Sequence, residues 1–77
     1  MKNVKVLGSG CQKCRTTIAN IHAAAEMLGV EIALEKVEDY AEIARWGVMA
    51  TPGVVVDGVV VHTGSVPTGK MIEEWIR

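Results

Sequence analysis

Apolar and polar positions alternate along the chain with two different periods, and the changes of period divide it into short elements. Asn3 to Leu7 is apolar and β-branched apart from Lys5, and Gly8-Ser9-Gly10 follows it. This reads as a strand closed by breakers. From about Cys11 to Leu28 the apolar positions are Cys14, Ile18, Ile21, Ala25 and Leu28. Steps of four and three put them on one face of a helix, and Gly29 is placed to end it in a left-handed conformation. Val30 to Val37 alternates in part, with Ile32 and Leu34 on one side and Glu31, Ala33 and Glu35 on the other. That pattern predicts a strand with one exposed face, at the edge of a sheet.

Asp39 is positioned to cap a short helix, with Glu42 three residues on as its capping-box partner. Tyr40, Ile43 and Ala44 supply the apolar side of that helix, and Gly47 stops it. Residues 48–53 form a loop. Val54-Val55-Val56 and Val59-Val60-Val61 then flank Asp57-Gly58, a pair suited to the two positive-φ positions of a type I′ hairpin turn. Continuous valine on both arms predicts burial on both faces. Gly64-Ser65-Val66-Pro67 turns the chain into a last helix, with Thr68 as N-cap and Met71, Ile72 and Trp75 inward. The order is β-α-β-α-β-β-α. Strands joined through a helix are parallel with a right-handed crossover, whereas the hairpin is antiparallel. The expected fold class is therefore α/β, a four-stranded mixed sheet with helices on both faces.

Composition narrows the function classes. Seventy-seven residues make one domain, residues 1–77, since the chain is too short for two cores. A net charge of −1 gives no basic footprint for nucleic acid. No apolar run is long enough to span a membrane. No signal-peptide pattern precedes the first strand, which points to a cytoplasmic protein. Both cysteines lie in Cys11-Gln12-Lys13-Cys14, so none is left for a long-range staple. A bridge within this motif closes a very small loop and restrains the unfolded chain little. Its value is chemical.

The chemistry follows from where the motif stands. A helix N-terminus carries partial positive charge and free N–H groups, and a thiol held there loses its proton more easily. Cys11 stands at that tip and Cys14 on the apolar stripe. One accessible and one shielded thiol suit a nucleophile and a resolving cysteine: Cys11 attacks a substrate disulfide, and Cys14 attacks the mixed disulfide. Lys13 and Arg15 are cations beside the pair, placed to favour the thiolate or to recognise an acidic partner. Two thiolates also supply half of a tetrahedral site for zinc, copper or an arsenic species, so a metal-carrying module is the alternative. His22 and His62 show no ligand spacing to the pair, and no resident metal or cofactor is expected. A third reading is an interaction domain with an incidental disulfide.

A Cys-x-x-Cys after the first strand, Thr51-Pro52 before the third, and a valine hairpin followed by a C-terminal helix together resemble the thioredoxin fold. The chain is most similar to the small redox-active disulfide proteins of bacteria and archaea, a glutaredoxin-sized thioredoxin-like family, and the resemblance covers nearly its whole length. It implies a minimal thioredoxin fold with strand order 2-1-3-4 and a cis Thr51–Pro52 bond facing the cysteines. It implies a thiol–disulfide oxidoreductase acting on protein disulfides, with Cys11 and Cys14 catalytic. Gln12, Lys13, Thr51 and Pro52 are its substrate-binding residues, the Thr51 backbone pairing with an extended client segment. The implied electron donor is thioredoxin-reductase-like or glutathione, and the protein is expected to be a monomer. Three features depart from the thioredoxin pattern. Gln12-Lys13 replaces Gly-Pro, Gly10 stands where a tryptophan precedes the nucleophile, and no acid lies in the first helix near Cys14.

Overall fold

A computed structural model of the chain describes residues 1–10 and 12–77. Cys11, the expected first residue of the long helix, lies outside the described residues. The elements follow in the expected order: β1 (Lys2–Leu7), α1 (Gln12–Leu28), β2 (Ile32–Val37), α2 (Tyr40–Arg45), β3 (Gly53–Val56), β4 (Val59–Thr63) and α3 (Gly69–Ile76). The sheet order is β2-β1-β3-β4. β1 runs parallel to β2 and antiparallel to β3, and β3 is antiparallel to β4. The fold is thus the minimal thioredoxin arrangement anticipated from the chain.

Alternation along the central strands divides the core in two. Val4 and Val6 of β1 and Val54 and Val56 of β3 face one side, where Ile21, Ala24 and Ala25 of α1 and Ile72 and Ile76 of α3 cover them. Leu7, Val55 and Val37 face the other side, against Ile43 of α2 and Val48. That second cover is thin, because α2 has only six residues. The part of the face beyond its reach carries polar groups. There the parallel register sets Lys5 opposite Glu35, and Lys5 Nζ donates to Glu35 Oε1 at 2.9 Å. A lysine in a central strand is thereby explained: its strand is covered on that side only near the C-terminal end. The pair is solvent-exposed and contributes at most about 1 kcal/mol.

The turns form as their residues require. Asp57 and Gly58 have φ of 48° and 83°, both positive as a type I′ turn needs. The turn is also tied to β1, since Asp57 Oδ1 accepts from the Asn3 N–H at 2.8 Å. Gly29 and Gly47 close α1 and α2 with φ of 68° and 74°.

Three expectations are corrected. Tyr40 is 75% exposed and does not form the apolar side of α2; Ile43 is the buried residue, with Trp46 packed beside it. The capping box does not close: the Asp39 carboxylate accepts from Ala41 N at 3.3 Å, and no bond from Glu42 completes it among the described residues. β4 is only half-buried, because it is an edge strand, and a register shift beside Val54 and Val55 interrupts its pairing. Only β3 is buried on both faces.

Thr68 caps α3, its Oγ1 accepting from Met71 N at 3.2 Å. Thr68→Ala is expected to lower stability by about 1 kcal/mol and Thr68→Asp much less. The check is the urea midpoint at unchanged m. No described helix is long and apolar enough to cross a membrane.

Candidate functional site

The site is built where β1 hands over to α1. The Gly8 N–H donates to the Val37 carbonyl at 2.9 Å, so the end of β1 stays fastened to β2. The chain then reverses through Gly10, at φ 79°. Arg15 Nη1 donates to the Gly10 carbonyl at 2.7 Å, which clasps this reversal from the first turns of the helix. Arg15 is therefore a structural partner of the loop as well as a charge beside it.

Cys14 sits in the first turns of α1 and is 3% exposed. Its sulfur occupies the space where Gly8 lacks a side chain: a Cβ at Gly8 would overlap Cys14 Sγ. The same point lies 3.6 Å from Thr51 Cβ and 3.4 Å from Cys14 Cβ. Gly8 is thus the floor on which the Cys14 side chain and the Thr51 side chain meet. The sequence pattern marks it only as a breaker. Its φ is not positive, so what it supplies is room.

The Thr51–Pro52 bond is cis, as expected. Pro52 is buried and Thr51 exposed. The Pro52 carbonyl accepts from Gly64 N at 3.0 Å, fixing this loop to the turn after β4. Gln12 and Lys13 are exposed at the start of α1, and the Lys13 carbonyl accepts from the buried Thr17 hydroxyl at 2.8 Å. The structure therefore gathers Cys14, Thr51 and Pro52 around the end of β1, with Gln12 and Lys13 on the adjoining surface. The expected role of Cys11 falls on a position outside the described residues.

A cleft of about 260 Å³ opens beside α1 onto Cys14 and Gly8. Its charged lining is Arg15, Lys36 and Glu38. Glu38 Oε2 lies 3.1 Å from the position a Cβ on Gly10 would take. The first helix offers no acid near Cys14, and this carboxylate comes instead from the residue that follows β2. The parallel register is the signal that finds it: Leu7 pairs with Val37, so the residue after β2 comes out beside the loop that follows β1.

The two histidines stand apart from this constellation. His22 is exposed on α1. His62 Nε2 lies 3.0 Å from Ser65 Oγ, and its ring packs 5.8 Å from that of Trp75. Among the described residues no three His, Cys, Asp or Glu side chains cluster to hold a metal ion.

Known proteins share this sequence pattern. Residues 2–77 match the family model of the thioredoxin domain. Over 74 residues, 96% of this chain, the sequence is 40% identical to a protein named thioredoxin from Methanocaldococcus jannaschii, covering 85% of that protein. It is 30% identical over 74 residues to a protein named thioredoxin from Methanothermobacter thermautotrophicus, covering 96% of both chains.

Proposed function

The chain belongs to the thioredoxin domain family, and from that footing we propose that it is a thiol–disulfide oxidoreductase exchanging electrons with protein disulfides through Cys11 and Cys14. The observation that carries the reading is the seat of Cys14. Its buried sulfur rests on Gly8 with Thr51 of the cis-proline loop against the same point. A cysteine kept only for packing needs no such junction of helix, strand and loop.

In this reading Cys11 attacks the client disulfide and releases one client thiol. Cys14 then attacks Cys11, releasing the second thiol and closing the intramolecular bridge. Thr51, exposed at the rim, offers its backbone to an extended client segment, and Gln12 and Lys13 line the approach. A thioredoxin-reductase-like or glutathione donor restores the dithiol. The setting proposed is cytoplasmic and the working form a monomer.

Equilibration of the protein in defined thiol redox buffers tests this. One reversible two-electron transition per chain is expected, and absence of a disulfide at every poise would end the reading. A parallel sample is reduced anaerobically with zinc and then exchanged into metal-free buffer. Metal well below one equivalent is expected, since two thiolates leave a tetrahedral ion two ligands short. Retention near one equivalent per chain or per dimer would move the assignment to a soft-metal carrier.

A further inference from the structure

We propose that Arg15 is a positioning residue for Cys11, holding by a hydrogen bond the peptide group that joins Gly10 to the nucleophile; the assignment rests on the oxidoreductase reading above. The need for such a hold comes from the sequence. Gly8-Ser9-Gly10 leads from β1 towards α1, and two of its three residues are glycine. A glycine takes positive and negative φ about equally well, so it does not fix which way the next peptide group faces. The Gly8 end is secured, its N–H donating to the Val37 carbonyl at 2.9 Å. At the other end Gly10 stands at φ 79°, in the left-handed region. Its carbonyl accepts from Arg15 Nη1 at 2.7 Å, the length of a charge-assisted bond. A peptide group is planar. An oxygen held in place therefore restricts the nitrogen and Cα that follow it, and these belong to Cys11.

The placement suits that task. Arg15 lies one turn into α1, which begins at Gln12. Helical side chains lean toward the N-terminus of their own helix, so a long side chain one turn in reaches back over the preceding loop. The Gly10 Cα is hemmed in as well: Glu38 Oε2 lies 3.1 Å from where a Cβ would stand. Where the thioredoxin pattern has a tryptophan, this chain has a residue without a side chain, gripped through its oxygen. Gly10 and Arg15 form one device.

Charge alone does not account for Arg15. The side chain is exposed, and an exposed charge is screened by water and salt. Its effect on the acidity of Cys11 is small, whereas the hydrogen bond acts on direction. Direction matters most in the second exchange. There the Cys11–Cys14 bond forms as the bond from Cys11 to the client sulfur breaks, and the electron pair leaves on the client thiolate. An intramolecular step of this kind depends steeply on alignment. Cys14 is carried by α1 with its sulfur over Gly8, and Arg15 aims the other sulfur.

Two variants separate the bond from the charge. Arg15→Met removes both. Arg15→citrulline keeps N–H donors at the same reach and removes the charge; it is made by ligating synthetic segments 1–10 and 11–77 at Cys11. Arg15 is exposed, so both variants are expected to keep the wild-type urea midpoint. Each reduced protein is mixed rapidly with excess dithiobis(nitrobenzoate), a chromogenic disulfide. Attack by Cys11 releases the first coloured thiolate at a rate that scales with reagent concentration, and the pH profile of this phase gives the acidity of Cys11. Attack by Cys14 releases the second at a rate independent of the reagent. In Arg15→Met the second phase is expected to slow at least about tenfold, with the inflection of the first phase displaced by less than about 0.3 pH unit. In Arg15→citrulline, whose neutral bond is weaker but points the same way, the second phase should stay within about threefold of wild type. Equal slowing in the two variants overturns the assignment, because the charge would then be what matters. An unchanged second phase in Arg15→Met overturns it too. So does equal slowing of both phases with a lowered urea midpoint, since a loosened fold would then suffice. Absence of a reagent-independent phase in wild type would instead remove the oxidoreductase reading itself.

Discussion

Gly8→Ala is expected to destabilise the protein by about 2 kcal/mol and to slow disulfide exchange by at least about tenfold. The added Cβ falls on Cys14 Sγ. The Gly8 backbone is held by its N–H bond to the Val37 carbonyl at 2.9 Å, and Cys14 is part of a regular helix whose sulfur is already buried. The sulfur must leave its rotamer or the strand end must shift, and either movement takes Cys14 out of line for attack. Reduced freedom of the unfolded chain offsets only about 0.4–1 kcal/mol of the loss. The other contacts of the new methyl, at 3.4 Å to Cys14 Cβ and 3.6 Å to Thr51 Cβ, are ordinary. The damage is therefore specific to the sulfur, and a double-mutant cycle tests that. In a Cys14→Ala background the cost of Gly8→Ala should fall below about 0.5 kcal/mol, with the difference appearing as coupling. Equal costs in both backgrounds would show that the strand, not the thiol, needs the glycine.

What could be read from the chain and what could not divide along a physical line. Elements, their order and their parallel or antiparallel sense follow from local pattern. The four-and-three spacing of α1, the Asp57-Gly58 turn and the Thr68 cap each depend on residues close in sequence, and each formed as expected. The errors concern which neighbour covers which face. Tyr40 is apolar enough for a core but lies on a helix too short to bury it. The valines of β4 look as buried as those of β3, but β4 is the last strand and lacks a neighbour on one side. Lys5 stands in a central strand because the cover of its face is thin. The same division holds in the site. The motif Cys11-Gln12-Lys13-Cys14 and the pair Thr51-Pro52 were legible because residue type and spacing carry them. Gly8 and Glu38 were not, because a glycine that makes room and an acid that arrives from an adjacent strand differ from ordinary residues only through long-range packing.

The cysteines are expected to separate cleanly by variant. In Cys14→Ala, incubation with a client disulfide should leave a covalent mixed disulfide on the chain, visible as a mass increase in the intact protein and removed by reductant. In Cys11→Ser no adduct should form, and turnover in both variants should fall by at least about a hundredfold. The asymmetry follows from exposure. Gln12 and Lys13, which lie between the cysteines, are exposed, whereas Cys14 is 3% exposed and lines the side cleft. A client disulfide would have to enter the side cleft to reach Cys14, whereas a sulfur already joined to Cys11 needs no entry. Alanine is the better replacement at position 14, because it removes the sulfur without adding a polar group at a buried position. An adduct on Cys11→Ser and none on Cys14→Ala would reverse the roles of the two cysteines. The buried sulfur would then be the nucleophile, and the side cleft would be the client's route.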